Sequence, residues 1–231
     1  MSISRAVLTI CTAIALAHAA TATAAPISIQ FTSGATTITV TDGGLGDANP
    51  DPDAVTFIGS VGGWNLNVGT GIGPDALGPA TMDLASVSVA YFGAVDPLIV
   101  SLTQTGIMDP VTGFFMDFGG TGTNLASVVY TAYADDSNTA FGLSQLIGSL
   151  GPFGSGAFSG STSGAVSVTG PYSLTQVLSI TGGRTGASMY SGDAQLTPQL
   201  RTQQVPEPMS LTLFGGGLAG LWLRRRRAAR A

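Results

Sequence analysis

Four oxygen-bearing side chains recur at every second position in DANPDPD, residues 47–53: Asp47, Asn49, Asp51 and Asp53. Oxygen ligands at alternate positions suit a hard cation, calcium above all. A helix–loop–helix calcium loop is excluded. Pro52 stands where that loop needs glycine, and Ile58 where it needs a bidentate glutamate. What is left is a looser calcium site between two strands, set against a solvated turn stiffened by proline. A second acidic pair, Asp135 and Asp136, follows a strand-like run in YADDSN. Neighbours in sequence do not make a catalytic pair, because glycosidases need two carboxylates facing one bond across a cleft. No catalytic residue is assigned, and no cofactor or metal beyond that calcium candidate.

The composition removes most other chemistry. The single Cys11 and single His18 both lie in the first 24 residues, and there is no lysine. Once that segment is removed, disulfides, a cysteine nucleophile, a Ser–His–Asp triad and zinc sites built on Cys or His are all excluded. So are a Schiff base and a Ser–Lys dyad. The glycines are scattered turn residues with no following helix and lysine, so no phosphate loop is credible. Six of the eight arginines sit at the two ends, which leaves Arg184 and Arg201 against twelve aspartates in residues 25–204. A body with ten more negative than positive groups repels nucleic acid and anionic lipid. It suits solubility outside the cell, calcium, or a cationic partner.

The elements that would carry these groups read as strands. Apolar residues alternate at Ile27, Ile29 and Phe31; at Ile38 and Val40; at Trp64, Leu66 and Val68; and at Val87, Val89 and Tyr91. The same period runs through Leu98, Val100 and Leu102, through Val128, Tyr130 and Ala132, and through Tyr172, Leu174, Leu178 and Ile180. Gly and Pro turn signals, such as Gly62-Gly63, Asp109-Pro110 and Gly182-Gly183, separate the runs. About ten short strands of this kind predict an all-β fold, an antiparallel β-sandwich of jelly-roll or Ig-like type. The best helix candidate is Thr139–Leu150, which could equally be strand plus loop. Residues 148–164, rich in Gly and Ser, read as a loop or linker that Phe153 and Phe158 tuck onto the core. Trp64, Tyr91 and Tyr130 fall on apolar faces. Tyr133 and Tyr190 are the better candidates for an exposed sugar-stacking surface.

The two ends look like sorting segments. Arg5, an apolar run from Ala6 to Ala17 and small residues to Ala25 form the layout of a secretory signal peptide. Ala22 and Ala24 satisfy the small-x-small rule. A cut after Ala24 avoids placing Pro26 next to the scissile bond. The opposite end, VPEPMSLTLFGGGLAGLWLRRRR, has a charge-free stretch from Met209 to Leu223 followed by Arg224, Arg225, Arg226 and Arg227. As a helix that stretch would span roughly 22 Å, short of the ~30 Å hydrocarbon core. By the positive-inside rule the arginines stay in the cytoplasm, with the body on the other side. The chain thus divides into a signal peptide (1–24), a sandwich body (25–204) and a sorting tail (205–231).

Pro206-Glu207-Pro208, a short Gly/Leu-rich apolar stretch and a terminal arginine cluster together resemble the PEP-CTERM sorting signal of exported bacterial proteins. The resemblance implies recognition at Pro206, Glu207 and Pro208 by an exosortase, an integral-membrane cysteine protease. It also implies passage through the secretion machinery and signal peptidase, and a Gram-negative producer that makes exopolysaccharide. Each proline fixes φ and lacks an N–H, which favours an extended segment that a protease can bind. The expectation is an exported structural or adhesive protein of the cell surface or polysaccharide matrix. It is not an enzyme, is transiently held in the inner membrane, and has the extracellular polysaccharide as a partner and no nucleic acid. A carbohydrate- or calcium-binding module is the alternative, and a carboxylate-based hydrolase a third reading.

Overall fold

A computed structural model describes residues 25–92, 96–168 and 170–200. The signal-peptide positions Ala22 and Ala24, the motif Pro206–Pro208 and the cluster Arg224–Arg227 lie outside the described residues. Twelve strands run β1 (Ser28–Ser33), β2 (Thr36–Thr41), β3 (Ala54–Val61), β4 (Trp64–Ile72), β5 (Met82–Phe92), β6 (Leu98–Ile107), β7 (Val111–Thr123), β8 (Leu125–Asp135), β9 (Gln145–Phe153), β10 (Gly156–Ala165), β11 (Tyr172–Gly182) and β12 (Ala187–Leu200). A single helical turn, α1 (Pro74–Leu77), precedes β5.

The strands form two six-stranded sheets, β2-β1-β6-β11-β8-β9 and β10-β7-β12-β5-β4-β3, with every pairing antiparallel. From β5 onward one rule governs the order. β5 pairs with β12, β6 with β11, β7 with β10 and β8 with β9. A ribbon paired in this way and folded into the four-strand sets β10-β7-β12-β5 and β6-β11-β8-β9 is a jelly roll. Strands β4 and β3 widen one sheet, and β1 and β2 widen the other. The topology therefore decides between the two sandwich types in favour of the jelly roll.

Period-two patterning explains why these segments are strands. In β8, Val128, Tyr130, Ala132 and Ala134 are buried while the residues between them are more open. Such alternation turns one face to a core and the other to solvent. The core lies between the sheets, with Phe31, Val100, Tyr130 and Leu178 from one and Trp64, Leu84, Phe114 and Leu196 from the other. Trp64 is fully buried against Tyr91, ring centroids 4.4 Å apart, and its indole N–H donates to the Asp96 carbonyl at 2.9 Å. Burying one such ring contributes roughly 4–6 kcal/mol of gross transfer free energy. Tyr91 donates its hydroxyl hydrogen bond to the Gly183 carbonyl. Gly182 leaves room for that ring, since a Cβ there would strike Tyr91.

One expectation is narrowed and one corrected. The helix candidate Thr139–Leu150 takes its strand-plus-loop alternative, a turn followed by β9, because Asn138 and Phe141 take left-handed backbone at φ 54 and 57, which no continuing α-helix accepts. Residues 148–164 are no linker but most of the β9–β10 hairpin, which spans both sheets at one edge. Gly and Ser dominate there because the two edges touch. At Gly164, a Cβ would collide with the Ile147 carbonyl. Phe153 and Phe158 do tuck the hairpin onto the core, stacked at 4.8 Å and each beside Phe118. Pro152 is tolerated because β9 is an edge strand.

The turn from Asp136 to Ser144 lies as a strap over the outer side of β6 and β11. Phe141 donates its N–H to Thr103 Oγ1 at 3.1 Å, and Ser173 Oγ donates to the Thr139 carbonyl at 2.7 Å. Asp135 accepts from Ser144 Oγ at 2.8 Å and from the N–H groups of Ser137 and Thr139. These bonds hold the Asp135 carboxyl below the ordinary carboxylate range, the Ser144 bond contributing most. Asp135 is thus the anchor of the strap, and Asp136 its neighbour in the chain.

Candidate binding face

The outer side of the β10-β7-β12-β5 sheet carries a row of hydrogen-bonding side chains. Ser161 on β10 sits opposite Asp117 on β7, Asp117 opposite Gln195 on β12, and Gln195 opposite Asp83 on β5. Three of them alternate with buried neighbours, Asp117 between Met116 and Phe118, Asp83 between Met82 and Leu84, and Gln195 between Ala194 and Leu196, and the fourth, Ser161, is exposed between half-buried Gly160 and Thr162. Alternation therefore points all four away from the core. The next row is Ser159, Gly119 and Asp193. Gly119 has no side chain, and a Cβ there would meet nothing closer than 3.6 Å. The result is a recess of 490 Å³ bounded by Asp117, Ser159, Ser161, Asp193 and Gln195. A second recess of 570 Å³ adjoins it across Gly119 and Asp193, and Asp83, Thr121 and Ser191 bound that one.

Asp83 and Asp193 are hydrogen-bonding neighbours, and Asp83 Oδ1 is buried with no other donor in reach. A like charge beside a buried carboxyl disfavours its ionisation, so Asp83 keeps its proton to a higher pH than usual. Burial first, and then Asp193, push the Asp83 carboxyl up to about 7. The face can accept hydrogen bonds from hydroxyl or amino groups through Asp117 and the pair, and donate them through Ser159, Ser161 and Gln195.

None of these residues stands out in the sequence, because strand pairing across four segments assembles them. The available signal was an aspartate alternating inside an apolar run, as in MDL and FMDF. The residues that the sequence did single out lie elsewhere. Asp47 is committed to its own turn, accepting N–H bonds from Gly43, Asn49 and Thr56 at 2.9 Å each. Asn49 accepts from Asp51 N–H at 3.0 Å, and Asp53 from Ala76 N–H at 2.9 Å. Among the described residues, no group of three or more His, Cys, Asp or Glu side chains is placed to hold a metal. The calcium candidates Asp47, Asn49, Asp51 and Asp53 therefore form a hydrogen-bonded turn and do not converge on one point. Tyr190 is buried, not exposed, which removes it from any sugar-stacking surface; Tyr133 is half-exposed. Trp64, Tyr91 and Tyr130 are core residues, as expected.

Residues 204–227 match the family profile described as the PEP-CTERM protein-sorting motif. The chain carries a PEP-CTERM sorting signal. That signal implies export, membrane anchoring and then processing by an exosortase, a membrane protease. Among the described residues of this PEP-CTERM chain, no helix is long and apolar enough to cross a membrane. No curated protein matches the sequence significantly. Among solved structures, TmCBM61 in complex with beta-1,4-galactotriose overlaps at 16% identity and TM-score 0.30, covering 48% of this chain and 70% of that one. The C-terminal CBM6 of LamC, a laminarinase from Zobellia galactanivorans, overlaps at 12% identity and TM-score 0.28, with 46% and 77% covered. The adhesin domain of Epf from Streptococcus pyogenes overlaps at 11% identity and TM-score 0.35, with 74% and 57% covered.

Proposed function

We propose that the mature protein is a non-catalytic structural or adhesive component of the cell surface or extracellular polysaccharide matrix of a Gram-negative bacterium. On this reading it contacts the polymer through the outer face of the β10-β7-β12-β5 sheet. One observation supports this most: the row Ser161–Asp117–Gln195–Asp83 beside the open floor at Gly119. Sugar hydroxyls are both donors and acceptors, and that row offers both. Its carboxylates repel anionic polymers, so the matching ligand is a neutral or amino-sugar polysaccharide. The Asp83–Asp193 pair does not favour glycoside hydrolysis. Its carboxyls are in hydrogen-bonding contact, whereas glycosidases hold theirs at least about 5 Å apart.

The test is co-sedimentation of the mature protein with the producer's own polysaccharide. Wild type is expected to pellet with the polymer, and Gly119→Leu, whose Cβ meets nothing closer than 3.6 Å and whose side chain fills the recess, to remain in the supernatant. Equal pelleting of both, or none for wild type, would reject this face.

A further inference from the structure

Cleavage after Ala24, the position read from Ala22 and Ala24, makes Ala25 the first residue and its nitrogen an ammonium. The structure places Ala25 in the lining of a 430 Å³ recess together with Asp42, Asp53 and Asp75. The three acids come from separate segments, after β2, before β3 and in α1, and the fold forces them together. Asp53 N–H donates to Asp42 Oδ2 at 2.8 Å, and Ala76 N–H donates to Asp53 Oδ2 at 2.9 Å. Asp53 is only 7% exposed. Burial, with Asp75 and Asp42 nearby, holds its carboxyl above the ordinary range despite the Ala76 bond.

Among the described residues, no basic side chain lines this recess. Arg184 is the one basic side chain among the described residues, and it lies in the β11–β12 connection, not in the lining of this recess. Ala25 itself is held at both its polar groups. Its N–H donates to the Thr105 carbonyl at 3.2 Å, and its carbonyl accepts from the Gln104 amide. As a peptide nitrogen it has one proton, and Thr105 takes it. As an ammonium it has three, which leaves two for the acids beside it, as charge-assisted bonds.

We propose that the α-ammonium of Ala25, created by signal-peptide cleavage, is the counter-ion of the Asp42–Asp53–Asp75 recess, so that the body reaches full stability only after maturation. The precursor body is then the looser form, and removal of the leader tightens the β1 end of the fold.

The experiment uses the mature chain recovered from producing cells. Mass spectrometry fixes its first residue, and an amine-reactive acetylating ester at neutral pH then blocks the N-terminus. Because the sequence has no lysine, the α-amine is the only amine target. The expected results are a start at Ala25 and a fall in Tm of about 4 °C on acetylation, the scale of one charge-assisted contact in a domain this size. In Asp75→Asn, an exposed position on α1 that should not affect folding, acetylation is expected to lower Tm by less than half as much. The proposal is overturned by a different first residue, by a Tm indifferent to acetylation, or by an equal fall in wild type and Asp75→Asn. A calcium-induced rise in Tm that Asp75→Asn abolishes would also overturn it, since the recess would then belong to a metal.

Discussion

Asp83 on β5 and Asp193 on β12 bring two carboxyls together on the outer face of one sheet. The folded-state pKa of Asp83, about 7, lies above its ordinary 3.8, so between these values the folded protein binds more protons than the unfolded chain. Stability from this group is therefore complete below about pH 4 and is lost as pH rises through 7. Thermal melts should give a higher Tm at pH 5 than at pH 8, and Asp83→Asn should flatten that slope.

Asp135 works in the opposite direction. Its carboxyl is held below 3.8 by the Ser144 hydroxyl and by strap N–H groups. Its contribution is present above about pH 4 and is lost as pH falls through its lowered folded value. Asp135→Ala should release the Asp136–Ser144 strap. Limited proteolysis should then cut within that strap at a concentration of protease that leaves wild type intact, and the acid limb of the melting profile should disappear.

In the core, Tyr130 donates its hydroxyl to Gln176 Oε1 at 3.0 Å, while Gln176 Nε2 is buried without a partner. Tyr130→Phe deprives the glutamine of its one described bond and should cost about 1–3 kcal/mol in urea denaturation. Adding Gln176→Met should recover most of the loss, because two apolar groups of similar shape leave nothing unsatisfied.

Phe158 stacks on Phe153 and packs against Phe118, binding the β9–β10 hairpin to the core. Phe158→Ala should destabilise by about 2–3 kcal/mol, less than for a fully enclosed ring. Hydrogen exchange should show faster opening of β9 and β10 while β6 and β11 keep their protection.

The strands were legible because each carries its own period. Ile27, Ile29 and Phe31, or Leu98, Val100 and Leu102, announce a buried face within a few residues, and all six are buried. The β9–β10 hairpin was illegible for the same reason. Its Gly and Ser residues answer to the neighbouring strand's backbone, as at Gly164 against Ile147, and a one-dimensional reading contains no neighbour. The Ser161–Asp117–Gln195–Asp83 row was hidden in the same way. No two of its members lie within thirty residues of each other in the chain (as their numbers show), and only sheet register brings them abreast.

Strand β12 ends at Leu200, six residues before Pro206. Six residues reach at most roughly 20 Å when fully drawn out. A domain of this size has a radius of gyration of about 16 Å. The leash between body and sorting motif is thus no longer than the body is thick. The folded sandwich must then stand close to the bilayer while the tail is being read.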